Sequence, residues 1–127
     1  MHVETLADKS TLSGIRRLIR SELNAVGVPA GPAFDCLVAV TEACTNALLH
    51  GTNGDNSQDP EISWTIGPSS ARFLIKDYSN KEGAEPPEME LEPRDGGYGL
   101  PMMRKLMDSV DVEFSPRGTT VSLEKRY

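Results

Sequence analysis

The chain has 127 residues, enough for one compact domain and too few for two ordinary ones. Its 38% hydrophobic and 25% charged residues exclude a disordered or fibrous protein, and no apolar run approaches the roughly 18 residues of a membrane span. A net charge of −6 excludes broad nucleic-acid binding, which needs many Lys and Arg contacts to phosphates.

In chain order, the start Met1-His2-Val3-Glu4 lacks a basic region followed by an apolar run, so a cytoplasmic location is expected. Residues 3–7 suit a short strand. From Ser10 to Val26, Leu12, Ile15, Leu18, Ile19, Leu23 and Val26 follow helical spacing, with Arg16, Arg17 and Arg20 largely opposite. Gly27 and Pro29 end that helix. A second helix is predicted over about 32–50, closed by Gly51, with a polar loop over 51–60. Ile62, Trp64 and Ile66 alternate as in a strand, residues 67–70 turn, and Ala71–Asp77 reads as the next strand.

Residues 78–98 hold no sustained period. Between Glu82 and Asp95 six carboxylates face Arg94 alone, a net of −5, so the acidity of the chain belongs to this segment. Long irregular segments in small domains are usually functional or mobile. A helix follows from about Leu100 to Asp108, with Pro101 in its first turn. Residues 110–114 and 119–125 close the chain as an antiparallel pair around a turn at 115–118. The order predicts one α+β domain over 1–127, a two-layer sandwich with a mixed, mostly antiparallel sheet and helices on one face.

The second helix is the most informative segment. Across Cys36–Leu49 its polar residues are Thr41, Glu42, Thr45 and Asn46, which predicts a buried helix. Phe34, Leu37, Val38, Thr41, Thr45 and Leu48 share one arc, and Glu42 and Asn46, four apart, share a face at its edge. Glu42 and Asn46 read either as a base beside a metal or phosphate contact, or as an Arg-paired carboxylate and a backbone cap. Cys36 and Cys44, eight apart on one helix, lie about 12 Å apart and cannot bridge, so both are expected as small buried residues.

Asp77 is in phase with Phe73 and Ile75, which puts a carboxylate at the strand's end on their face, unless it merely opens the following turn. Gly96-Gly97-Tyr98-Gly99 enters the next helix at Leu100, as a phosphate-approaching loop or a plain hinge. Arg104 and Lys105 lie one turn inside that helix, within reach of phosphate or simply solvated. Gly118-Thr119-Thr120 is by itself a turn followed by a strand start.

Together, Glu42-Ala43-Cys44-Thr45-Asn46, Asp77, Gly97-Tyr98-Gly99-Leu100 and Gly118-Thr119-Thr120 resemble the histidine-kinase-like ATPase superfamily, the Bergerat nucleotide-binding fold. Residues 41–50 and 99–108 look like its anti-sigma-factor serine kinase branch. That resemblance implies ATP and Mg²⁺ as cofactors, with Glu42 as the base toward an acceptor serine and Asn46 as the Mg²⁺ residue. It implies Asp77 as acceptor of the adenine amino group, with Thr119 or Thr120 on the adenine side. It places Gly97, Gly99 and Leu100 at the phosphates beside Arg104 and Lys105, under a flexible acidic lid over about 78–98. The implied partners are a sigma factor and an anti-anti-sigma protein, met through Arg16 and Arg20 of the first helix. A homodimer is also implied, with no nucleic acid and no membrane.

Ser79 stands where the family carries a glycine, and the acidic lid would face a triphosphate; both predict weak ATP binding. A binding-only partner switch is therefore the competing reading. A small α+β adaptor that takes no nucleotide is the third.

Overall fold

The computed structural model describes residues 1–51, 58–78 and 99–127. The elements run β1 (His2–Thr5), α1 (Lys9–Val26), α2 (Ala30–Gly51), β2 (Glu61–Ile66), β3 (Ser70–Asp77), α3 (Gly99–Leu106), β4 (Ser109–Ser115) and β5 (Gly118–Arg126). Each element predicted above is present, with ends displaced by at most two residues.

Helix α1 starts where Asp8 can cap it: the Asp8 carboxylate accepts from the Thr11 backbone N–H at 2.8 Å and from its hydroxyl at 3.0 Å. The same Thr11 bonds hold the Asp8 carboxyl below the usual carboxylate range. The helix stops at Gly27, whose φ of 85° lets its N–H return to Leu23 and Asn24 carbonyls. Between these ends Leu12, Ile15, Ile19 and Leu23 form the buried stripe.

The five strands form one sheet in the order β1-β2-β3-β5-β4, and all four pairings are antiparallel. Period-two alternation divides its faces. Ile62, Trp64, Ala71, Phe73, Ile75, Val110, Val121 and Leu123 are buried on the helix side. Arg72, Lys76 and Glu124 occupy the other face, where Arg72 Nε meets Glu124 Oε2 at 2.8 Å. Burying a large apolar side chain contributes about 1.5–3 kcal/mol, so this one-sided core dominates the stability of the domain.

The Trp64 indole N–H binds the layers together by donating to the Glu22 carboxylate of α1, and the Tyr127 hydroxyl ties the chain end to the β2–β3 turn by donating to the Gly67 carbonyl at 2.5 Å. His2 stacks on Trp64 with ring centroids 4.4 Å apart, which holds β1 against the sheet. Among the described residues no helix is long and apolar enough to cross a membrane.

Candidate nucleotide-binding site

Helix α2 lies across the sheet between α1 and α3. Cys36, Ala39, Val40, Ala43, Cys44 and Ala47 form its buried face. Of the predicted arc, Leu37 is buried, whereas Val38, Thr41, Thr45 and Leu48 are half-buried and Phe34 is 64% exposed. The expectation of a helix buried all round is thus corrected. One helical layer covers one sheet face, so α2 has an outer side in solvent. The side facing the sheet is the one whose three alanines let the two backbones approach closely. Periodicity could not separate two apolar arcs; side-chain size could have.

Burial pushes the Cys36 thiol up to about 11 and the Cys44 thiol up to about 12, and both cysteines are free. Thr41 satisfies its own hydroxyl by donating to the Leu37 carbonyl at 2.6 Å. Glu42 and Asn46 stand on the edge of α2, both half-buried, and Glu42 Oε2 is out of contact with solvent.

The end of β3 supplies the second wall. Asp77 is 8% exposed and shares the face of Phe73 and Ile75, as the alternation predicts. Its Cα partner on β5 is Thr119, whose backbone N–H donates to Asp77 Oδ1 at 3.3 Å. That bond is one constraint on the carboxylate's direction. Next to it, Gly118 adopts φ 141°, and a Cβ there would stand 1.9 Å from the Asp77 carbonyl oxygen. Only glycine fits this close approach. Reading the sequence as a turn followed by a strand undervalued Gly118. Its position immediately before the threonine pair, across from a strand-terminal aspartate, was the available signal.

The structure distinguishes the two threonines. Thr119 is on the helix side with Asp77, whereas Thr120 pairs with Lys76 and belongs to the opposite face. Thr120 is thereby removed from the site.

Helix α3 begins at Gly99 and passes through Leu100 and Pro101, where the missing proline N–H costs no hydrogen bond. Arg104 and Lys105 are exposed and stand in its last turn, complementing the negative end of the helix dipole. The Leu106 carbonyl that follows them accepts from Lys125, the β5 partner of Ala71. Gly97, Ser79 and, apart from Tyr78, the expected lid over about 78–98 lie outside the described residues.

On α1, Arg20 is exposed, as expected, while Arg16 is half-buried. Its Nε is buried with no hydrogen-bond partner among the described residues.

One ion pair places the start of α2. Asp35 meets Lys125, the β5 partner of Ala71, so α2 starts over the beginning of β3. Asn46 lies 11 residues further, about 16 Å along the helix. Asp77 lies six residues beyond Ala71, about 20 Å along the strand. The helix is thus long enough for Glu42 and Asn46 to reach the Asp77–Thr119 end of the sheet.

These groups fit a purine nucleotide. A carboxylate accepts hydrogen bonds, so Asp77 suits a ligand amino group, and the glycine at 118 keeps the adjoining backbone close. Among the described residues no three His, Cys, Asp or Glu side chains gather as a metal cage. Mg²⁺ is commonly held by few protein oxygens together with phosphates and water, and the Asn46 side-chain oxygen is compatible with that arrangement.

A single helical layer on an antiparallel sheet is the architecture of the histidine-kinase-like ATP-binding class. Two solved structures share the fold. One holds the RsbU and RsbW domains of a Mycobacterium tuberculosis protein, with TM-score 0.73 and 22% identity over 98% of this chain and 32% of that one. The other is the histidine kinase domain of a blue-light-activated kinase of Erythrobacter litoralis, with TM-score 0.55 and 19% identity over 92% of this chain and 59% of that one.

The sequence profile of the histidine kinase-like ATPase domain matches residues 5–125, and the chain belongs to that family. Among curated relatives, the serine-protein kinase RsbW of Bacillus licheniformis is 33% identical over 85% of this chain and 76% of its own length. The anti-sigma F factor of a Geobacillus species is 33% identical over 91% of this chain and 87% of its own length.

Proposed function

We propose that this chain is an ATP-dependent protein serine kinase and anti-sigma factor, which holds a sigma factor and phosphorylates a serine of a small anti-anti-sigma protein. The observation that carries the reading is one seam with two walls. Asp77 accepts from the Thr119 N–H at the strand end, and the length of α2 allows its Glu42–Asn46 edge to face that end of the sheet. The names of the relatives supply the chemistry, and the residues here suit it.

In this reading Asp77 accepts a hydrogen bond from the adenine amino group, and Thr119 keeps the carboxylate aimed at it. Asn46 would hold Mg²⁺, whose charge would neutralise that of the phosphates. Glu42, on the same rigid helix, receives the proton of the acceptor serine hydroxyl as that oxygen bonds to the γ-phosphorus. The bond from that phosphorus to the β–γ bridging oxygen breaks, and ADP leaves. Phosphoryl transfer asks little more of a protein than positioning and charge neutralisation. This reading assigns Gly97, outside the described residues, and Gly99 to the phosphates, with Leu100 continuing the helix entry.

Protein partners meet α1 through Arg16 and Arg20, one helical turn apart. Sigma factor and anti-anti-sigma protein compete for this surface. The exposed Met1 and Val3 on edge strand β1 suit contact with a second copy. A cytoplasmic location follows from a transcriptional partner.

A binding-only switch is the second reading. The six carboxylates between Glu82 and Asp95, and Ser79, favour it because both oppose tight triphosphate binding. A transfer assay with labelled ATP and candidate anti-anti-sigma proteins separates the two. The kinase labels a serine and the Glu42→Gln variant binds ATP without labelling; a wild type that binds without transfer is the switch.

A further inference from the structure

Lys125 sits on the helix face of β5, at the end of the sheet remote from Asp77. Its side chain is 16% exposed, and its ammonium has two partners on two different helices. Nζ donates to the Leu106 carbonyl at the C-terminus of α3 at 2.5 Å, and pairs with Asp35 Oδ2 on α2 at 3.1 Å. A cation at a helix C-terminus is favoured by the helix dipole as well as by the orphan carbonyl. Two further bonds hold the same end of α3 to β5. The Asp108 N–H donates to the Glu124 carbonyl at 3.0 Å, and the Arg126 N–H donates to Asp108 Oδ2 at 2.7 Å.

Asp35 and Leu106 are therefore pinned to one nitrogen. From that point α2 runs seven residues to Glu42 and eleven to Asn46, about 10 and 16 Å. From the same point α3 runs back seven residues to Gly99, about 10 Å. This charged group, shared by the two helices, stands opposite the ends at which the proposed site is built. Burial makes it matter: a partly desolvated ammonium with a carboxylate and a carbonyl is a directional constraint, whereas an exposed pair would slide.

We infer that Lys125 is a positioning residue for phosphate binding, setting the separation of α2 and α3 and with it the slot between Asn46 and the start of α3. The inference rests on the kinase reading and assigns Lys125 no contact with the nucleotide. Adenine is held by the Asp77–Thr119 pair on the sheet, so the clamp governs the phosphates and spares the base.

Calorimetric titration of the full chain with adenosine and with Mg²⁺·ATP tests it, using Lys125→Met and Lys125→Arg. Lys125→Met keeps the apolar stem and removes the charge. The expected result is adenosine affinity within about threefold of wild type and ATP affinity lowered about tenfold or more, since small misplacements of a positioning group are costly. Lys125→Arg restores part of the ATP affinity. Parallel loss of both ligands is what a merely structural role gives, and unchanged ATP affinity is what no role gives; either overturns the inference.

If Lys125→Met does not fold, Asp35→Asn cuts the α2 half of the clamp while leaving the Leu106 bond. It must weaken ATP more than adenosine, or the inference fails. A wild type that binds adenosine and ATP equally contradicts the clamp alone. A wild type that binds neither contradicts the kinase reading, and the clamp with it.

Discussion

Gly118 and Asp77 are in such close main-chain approach that a side chain at 118 would overlap the Asp77 carbonyl. The Thr119 N–H that follows is the one aligning the Asp77 carboxylate. One glycine thus determines both the closure of the β3–β5 ladder and the direction of the acceptor.

Gly118→Ala is accordingly expected to lower stability by about 2 kcal/mol or more, combining a strained φ with a backbone clash. Urea denaturation reads the loss. Nucleotide affinity should fall further than stability alone explains when measured at a temperature where the variant is fully folded.

Asn46→Ala separates the metal role from the fold. Asn46 is half-buried, so its loss should cost less than about 1.5 kcal/mol of stability. ATP affinity measured with and without Mg²⁺ is the readout: the variant loses the gain that Mg²⁺ gives and keeps the metal-free affinity.

The two cysteines make stability fall in alkali. Their thiols are raised by burial to about 11 and about 12, above the ordinary value of 9.0. A raised acid pKa favours the folded state while the thiol stays neutral. This contribution is intact below pH 9 and is lost between about 9 and 12, as the unfolded chain ionises first. Thermal melts across that window should show a declining midpoint. Cys44→Ala should flatten the decline, and native protein at pH 8 should react slowly with thiol reagents.

Trp64 is the single tryptophan of the chain and donates its indole N–H to Glu22. Glu22→Ala removes the acceptor from a buried indole and should cost about 1–3 kcal/mol, with a change in tryptophan emission. Glu22→Gln keeps an acceptor oxygen and should cost less.

The sequence was most legible where a single physical rule decides. Gly27 ended α1, alternation placed Asp77 on the face of Phe73 and Ile75, and four-residue spacing put Glu42 beside Asn46. It was least legible where two surfaces of similar chemistry compete. On α2 both arcs are apolar, and the alanine side won because it lets helix and sheet approach. In Thr119-Thr120 composition is identical and register alone chooses Thr119. Lys125 carried no local signal, since its partners come from residues 90 and 19 positions away.

The most direct measurement is a calorimetric titration of the wild-type chain and Asp77→Asn with Mg²⁺·ATP. The account predicts saturable heat for the wild type and affinity lower by about tenfold or more in the variant, the loss of a hydrogen bond to a charged acceptor. No heat from the wild type at millimolar ATP, or superimposable isotherms from the two proteins, would contradict it.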